Sequence, residues 1–292
     1  MTNRVSPEDN VRRGGSLIVA IIMAVVGAIS YYSSRSTNEV TGEVQHVSLT
    51  TEQEVALGLQ AFPEMAQQFG GEIDHPVVSN YVEEVGQRLV RSSDAQKGDY
   101  KYDFHVLADP ETINAFALPG GQVSITLGLL RRLRNEAELA GVLGHEIGHV
   151  VGRHSAEQLS KQQFAQTLVG AATIAAYDPD RPGSSAQNAA IAAAIGQLVT
   201  MRFGRQDELE SDALGVQLMS QAGYDPRGMA ELLQILAQSS EGGGRPPEFF
   251  STHPNPENRL ARVEEMIRTS GRTGGDVGAD RFQQNVLRFL RQ

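Results

Sequence analysis

Cysteine is missing from all 292 residues. That excludes a disulfide framework, a thiolate metal site, a cysteine nucleophile and a lipid attached to an N-terminal cysteine. Positive charge is also in short supply: 25 Lys and Arg stand against 35 Asp and Glu, for a formal net charge of -10. A surface that displaces counterions from phosphates needs a basic stripe, so nucleic acid is excluded as a partner. No internal repeat is found. What the chain does have, 40% hydrophobic and 21% charged residues, suits one sizeable globular domain with an appendage.

The appendage is N-terminal. Residues 14–34 carry no charge and contain the apolar run Leu17 to Ile29, preceded by Arg4, Arg12 and Arg13. About 20 mostly apolar residues span a bilayer as a helix, and flanking arginines stay on the cytoplasmic side. The expectation is a single-pass membrane anchor, with the N-terminus in and the bulk of the chain out. A cleaved signal peptide ending near Ala28, giving a periplasmic or secreted protein, is the alternative. Residues 1–34 are thus stub and anchor, the unpatterned polar residues 35–48 a tether, residues 49–270 the folded domain and residues 271–292 a C-terminal packing helix.

Within the folded domain, helices are expected from Thr50 or Thr51 to Gly70 and from Pro76 to about Val90. Short β-rich runs follow at 102–107 and 116–125, punctuated by Asp109, Pro110 and by Pro119, Gly120, Gly121. A helix resumes from Asn135 and carries Leu139, Val142, Leu143, Ile147 and Val150. Two Ala-rich stretches, 167–177 and 186–198, are each about half a bilayer span and read as close-packed core helices, with a membrane-dipping hairpin as the alternative. Helices return at 208–222 and 226–238. The fold class is α+β, mainly helical, with a small sheet beside the central helix.

That central helix holds His145, Glu146 and His149. Residues four apart lie about 40° apart around a helix, so the two imidazoles aim at one point. One Zn²⁺ fits there, and the intervening carboxylate can take a proton from water. Catalytic zinc needs a third protein ligand and an open position. His154 is a poor candidate: on a continuing helix it sits about 180° from His145 and faces away. The acidic helix with Glu208, Glu210 and Asp212 is the better one. Glu208 and Asp212 share a face, so one can ligate while the other braces an imidazole. Spacing alone does not choose Glu208 over Glu210.

These residues resemble the gluzincin zinc metallopeptidases, which include type I CAAX prenyl proteases, a bacterial membrane heat-shock protease and periplasmic quality-control proteases. The likeness runs from Leu49 to Ile267 and rests on several blocks. Asn114, Ala115, Phe116, Ala117 and Leu118, followed by Pro119, Gly120 and Gly121, look like the family's strand and turn before the active-site helix, and the strand 114–118 is expected to pair with an extended substrate by backbone hydrogen bonds. Arg205, Glu208 and Asp212 match its second helix, and Thr252, His253, Pro254 and Arg259 its late motif. The resemblance implies Glu208 as third ligand and Glu146 as catalytic base. It brings His253 near the metal, either stabilising the oxyanion, with Arg259 facing it too, or filling the open site, and leaves Asp212 to brace an imidazole. No further membrane spans or helical repeats are apparent, so single-anchor or periplasmic members are the nearest kind. The expected activity is endoproteolysis of unfolded membrane or periplasmic proteins. A chaperone-like binder of unfolded chains is the alternative, and Glu146 argues against a purely structural zinc domain. The run Gly242, Gly243, Gly244, Pro246, Pro247 ahead of His253 suggests a hinge that moves it.

Overall fold

The structure is a computed structural model that describes residues 7–175, 201–241, 247–254, 258–271 and 274–290. In chain order its elements are α1 (Pro7–Ser33), β1 (Arg35–Thr37), β2 (Val44–His46), α2 (Thr51–Gln68), α3 (Pro76–Arg91), β3 (Asp103–Leu107), β4 (Ala115–Ala117) and β5 (Gln122–Thr126). There follow α4 (Leu127–Leu130), α5 (Glu136–Val151), α6 (His154–Ala175), α7 (Arg205–Gln221), α8 (Arg227–Glu241), α9 (Phe249–Thr252), α10 (Arg259–Thr269) and α11 (Ala279–Phe282). A π turn, Gln283–Leu287, and a last short helix, Arg288–Leu290, continue from α11. The second Ala-rich stretch and the hinge at 242–246 lie outside the described residues.

Two compact units emerge. The first comprises Met1–Asn38, Gly42–Leu49 and Ala156–Gln197. In it the residues read as an unpatterned tether form a hairpin instead, β1 pairing antiparallel with β2 from Arg35 opposite His46 to Thr37 opposite Val44. Alternation too short to register as a period is enough when an aromatic stack supplies the packing. The Tyr31 ring lies between His46 and Phe164, at centroid distances of 4.6 and 4.7 Å. Among the described residues no helix is long and apolar enough to cross a membrane.

The second unit, Glu39–Thr41, Thr50–Ser155 and Leu198–Gln292, is mainly helical around one three-stranded sheet. Helix α2 starts at a capping box: the Thr50 hydroxyl accepts from the Gln53 N–H, and the Gln53 side chain accepts from the Thr50 N–H. Pro76 opens α3 where a missing N–H costs nothing. Strand order is β3-β5-β4, with β3 parallel and β4 antiparallel to β5. β5 is central and buried along its whole length, while β4 forms one edge. The β4–β5 turn uses Gly120 at φ 81° and Gly121 at φ 112°. A Cβ on Gly120 would lie 2.3 Å from the Val55 Cα, so the turn can press on α2 only as glycine.

Helix α5 is the axis of this unit, and each of its sixteen residues is buried. Its N-cap, Asn135, accepts from the Glu138 N–H at 2.9 Å. Glycines let α7 and α8 approach it: a Cβ on Gly148 would meet the Ser211 carbonyl at 2.9 Å, and one on Gly228 the Ala137 carbonyl at 2.4 Å. The C-terminal segment packs into the same core through Phe282 and Val286.

Candidate metal centre

The four-residue spacing on α5 brings the Nε2 atoms of His145 and His149 to 3.1 Å. Helix α7 adds Glu208, whose carboxylate oxygens stand 3.5 Å from the His149 Nε2 and 3.6 Å from the His145 Nε2. His253, at the C-terminal end of α9, points its Nδ1 into the same space. That atom lies 3.4 Å from the His145 Nε2 and 3.0 Å from Glu208 Oε1. All four side chains are buried, and their donor atoms fall within 4.8 Å of one another.

Tetrahedral zinc with nitrogen ligands at about 2.05 Å separates its corners by about 3.3 Å. The spacings here, 3.0 to 3.6 Å, match that. The polar atoms left without a hydrogen bond point the same way: Glu208 Oε2, His253 Nε2 and both Glu146 oxygens are buried with no such partner. The Arg259 Nη1 is 2.9 Å from Glu208 Oε2, yet off the hydrogen-bonding direction. Buried polar groups this close and this poorly satisfied fit a divalent cation.

Around the donors the charges are ordered. The His145 Nδ1 lies 2.9 Å from Asp212 Oδ1. Arg259 donates to both oxygens of Asp212, from Nε at 2.6 Å and Nη2 at 2.7 Å. The same guanidinium reaches the donor atoms, with Nη2 3.4 Å from the His145 Nε2. Burial pushes the Asp212 carboxyl up, but Arg259 and the hydrogen bond from His145 outweigh it and hold the group below its ordinary range. Glu208 follows the same rule, with burial opposed by His253 and His149, and ends well below its ordinary value. Burial drives His149 well below 6.5, which keeps its imidazole neutral, as a metal ligand must be. For His253 burial acts downward, yet the anions Glu208 and Glu146 prevail and raise it. Burial raises Glu146, only partly opposed by His253 and His145. A carboxyl raised in this way suits work as an acid and a base.

One sequence expectation is overturned. His154 does not face away, because α5 does not continue. Gly152 caps it, Arg153 adopts a left-handed backbone at φ 56°, and α6 begins at His154. The bend returns the His154 Nδ1 to within 3.0 Å of the His149 Nδ1. Two aromatic contacts escaped the sequence as well. Phe203 stacks on His149 at 4.0 Å and Phe249 on His253 at 4.3 Å. The second had a signal, the four-residue spacing that puts Phe249 and His253 on one helix face.

Beside the donors is a cavity of about 100 Å³, lined by Phe116, Leu118, Met65, Phe69, Met201 and Phe203, with His253 at its inner wall. Edge strand β4 thus runs past the centre. Asn114 and Ala117 also face the cavity, and Ala115, next along the strand, is buried.

Comparison with known proteins gives the same reading. The model of peptidase family M48 matches residues 76–267. A putative β-barrel assembly-enhancing protease of Vibrio cholerae is 34% identical over 233 residues, covering 78% of this chain and 46% of that protein. The β-barrel assembly-enhancing protease of Escherichia coli K12 is 34% identical over 194 residues, covering 65% and 39%. The mitochondrial metalloendopeptidase OMA1 of Schizosaccharomyces pombe is 31% identical over 244 residues, covering 82% and 69%. The chain spans less than half the length of those bacterial relatives.

Proposed function

The chain belongs to peptidase family M48, whose members are zinc metallopeptidases, and from that premise we propose that it is an endopeptidase working through one Zn²⁺ held by His145, His149 and Glu208. When bound, zinc supplies Lewis acidity toward a scissile carbonyl and toward the attacking water. The chain's own residues do the rest. Glu146, raised by burial and free of hydrogen bonds, takes the proton of the attacking water and returns it to the leaving nitrogen. Asp212 orients His145, and Arg259 ties Asp212 to Glu208, so the two acidic side chains act as one rigid unit. His253 supplies a fourth donor in the resting arrangement and withdraws when substrate enters. Residues 114–118 take an extended substrate along the free edge of β4, by backbone hydrogen bonds that tolerate many sequences. Unfolded polypeptides are the matching substrate class.

A membrane setting follows from α1. Leu17, Ile18, Ile21, Ile22, Val25, Val26 and Ile29 are all half or more exposed and lie along one half of the helix's circumference, an apolar face that water disfavours and lipid satisfies. We therefore read residues 1–34 as an inner-membrane anchor and the chain as a quality-control protease on the periplasmic face. That fits relatives whose names couple proteolysis to β-barrel assembly.

The observation that carries the reading is the convergence of four buried donors beside the Glu146 carboxylate, whose oxygens accept no hydrogen bond. Casein digestion with and without a chelator, run beside Glu146→Gln and an aggregation assay, tests it. Chelator-sensitive cleavage lost in Glu146→Gln is expected. Suppressed aggregation with no cleavage in the wild type would assign a holding role instead.

A further inference from the structure

The two histidines of α5 are held by different partners. His145 leans on a carboxylate, Asp212, itself fixed by Arg259. His149 leans on a second imidazole. Its Nδ1 is 3.0 Å from the Nδ1 of His154, with the rings edge to face at 80°. Two imidazole nitrogens at that distance need one proton between them. The His149 Nε2 points at the other donor atoms, so its lone pair belongs on that side and its proton on Nδ1. The His149 Nδ1–H therefore donates, and the His154 Nδ1 accepts. That leaves the His154 proton on Nε2, which lies 3.3 Å from Glu210 Oε2. Ser211 Oγ, 3.3 Å from the His154 Nδ1, flanks the same joint.

We propose that His154 and Glu210 are a positioning pair: they fix the tautomer and ring orientation of His149, as Asp212 and Arg259 do for His145. The local sequence is built for it. A Cβ on residue 152 would lie 2.4 Å from the His154 Nε2, so the returning ring requires glycine there. Arg153 takes the left-handed turn that brings it back, and its guanidinium donates to the buried Glu54 at 2.9 Å, pinning the bend to α2. Glu210 shares α7 with the donor Glu208 but is not itself among the four donors. Its side chain is 24% exposed, which leaves it open to substitution without opening the core.

The inference rests on His149 being a metal ligand, so the experiment measures zinc binding directly. Zinc Kd is determined for the full chain by competition with a chromophoric chelator, and the visible spectrum is recorded with Co²⁺ in place of zinc. The variants are His149→Ala, His154→Leu, His154→Asn, Glu210→Gln and Glu210→Ala. Removing an outer partner of a metal-binding histidine costs about 10- to 100-fold in affinity, so His154→Leu should raise Kd by at least about tenfold and shift the Co²⁺ bands. The Asn Oδ1 can occupy the place of Nδ1 and accept the same proton, so His154→Asn should return Kd to within about threefold of wild type. Glu210→Gln should fall between. Wild-type affinity in His154→Leu overturns the proposal. So does equal weakening by Leu and Asn, which would reduce His154 to a space-filling ring. If His154→Leu does not fold, Glu210→Ala, which removes the acceptor facing the His154 Nε2, decides: an unchanged Kd and spectrum there overturn it. Should His149→Ala itself leave Kd unchanged, the metal-centre reading fails, a result distinct from failure of the positioning pair.

Discussion

The Nδ1 of His253 stands 3.0 Å from Glu208 Oε1, and neither side chain is exposed to solvent. On the proposed reading, His253 would then supply a fourth protein donor where a catalytic zinc site takes water. The sequence left two roles for this histidine, and the contact favours the resting ligand. In His253→Ala, zinc Kd should rise about tenfold, equivalent to ~1.4 kcal/mol, while basal casein cleavage increases several-fold. Cleavage that falls while zinc is retained would return His253 to the oxyanion role.

Glu146 presents the opposite case, a carboxylate with both oxygens buried and no hydrogen bond. Replacing it with Gln keeps shape and volume but removes the proton acceptor. Cleavage should drop by about 10²- to 10⁴-fold, with zinc content unchanged. Metal analysis beside a fluorogenic peptide assay checks both halves. A variant that binds zinc and cleaves at the wild-type rate rules out Glu146 as the base.

Much of this was legible from spacing, because helix periodicity is short-ranged. His145 with His149, and Glu208 with Asp212, are four apart, and nothing further is needed to know that each pair shares a face. Which acidic residue meets the histidines was not legible. Glu208 and Glu210 differ only in where α7 sits against α5, a matter of tertiary packing through Gly148 and Gly144. His154 went wrong for a related reason. Its position depends on a chain reversal at Gly152 and Arg153, and a wheel drawn on a continuous helix cannot register a left-handed residue. The hairpin of β1 and β2 was missed because three-residue strands carry too little alternation to separate from a polar tether.

The packing of α7 on α5 gives a prediction of its own. A Cβ on Gly148 would lie 2.9 Å from the Ser211 carbonyl oxygen and 3.0 Å from its Cα, both backbone atoms with no rotamer to yield. Gly148→Ala should therefore cost about 1–3 kcal/mol in urea unfolding. Because Ser211 adjoins Asp212, it should weaken zinc binding as well. Gly170 on α6 meets nothing within 4 Å, so Gly170→Ala should be neutral or stabilising by up to about 1 kcal/mol. Equal behaviour of the two variants would show that the close approach of α5 and α7 is not tight in solution.

The N-terminal end of α5 is fastened by charge. The Glu136 side chain is 4% exposed and accepts from Arg281 Nε at 2.9 Å and Nη2 at 3.0 Å, and from the Tyr81 hydroxyl. Burial pushes its carboxyl up, but the hydrogen bonds from Arg281 and Tyr81 prevail and hold it below its ordinary value of 4.5. A group whose pKa is lower in the folded chain binds fewer protons there than in the unfolded chain. Its contribution is therefore complete above pH 4.5 and declines as pH falls through the folded value. Arg281→Met removes the main partner and leaves a buried carboxylate to Tyr81 and to Arg88, whose Nη1 is 3.5 Å away. Arg281 is itself about half exposed, so the loss at pH 7 should be modest, about 1–2 kcal/mol. Below pH 4.5 the difference should shrink, because Glu136 becomes protonated in both proteins. Urea unfolding of the two chains between pH 7 and pH 3.5 tests this: curves that converge toward acid assign the stabilisation to the ionised Glu136, whereas curves that stay parallel assign it to the packing of the Arg281 side chain.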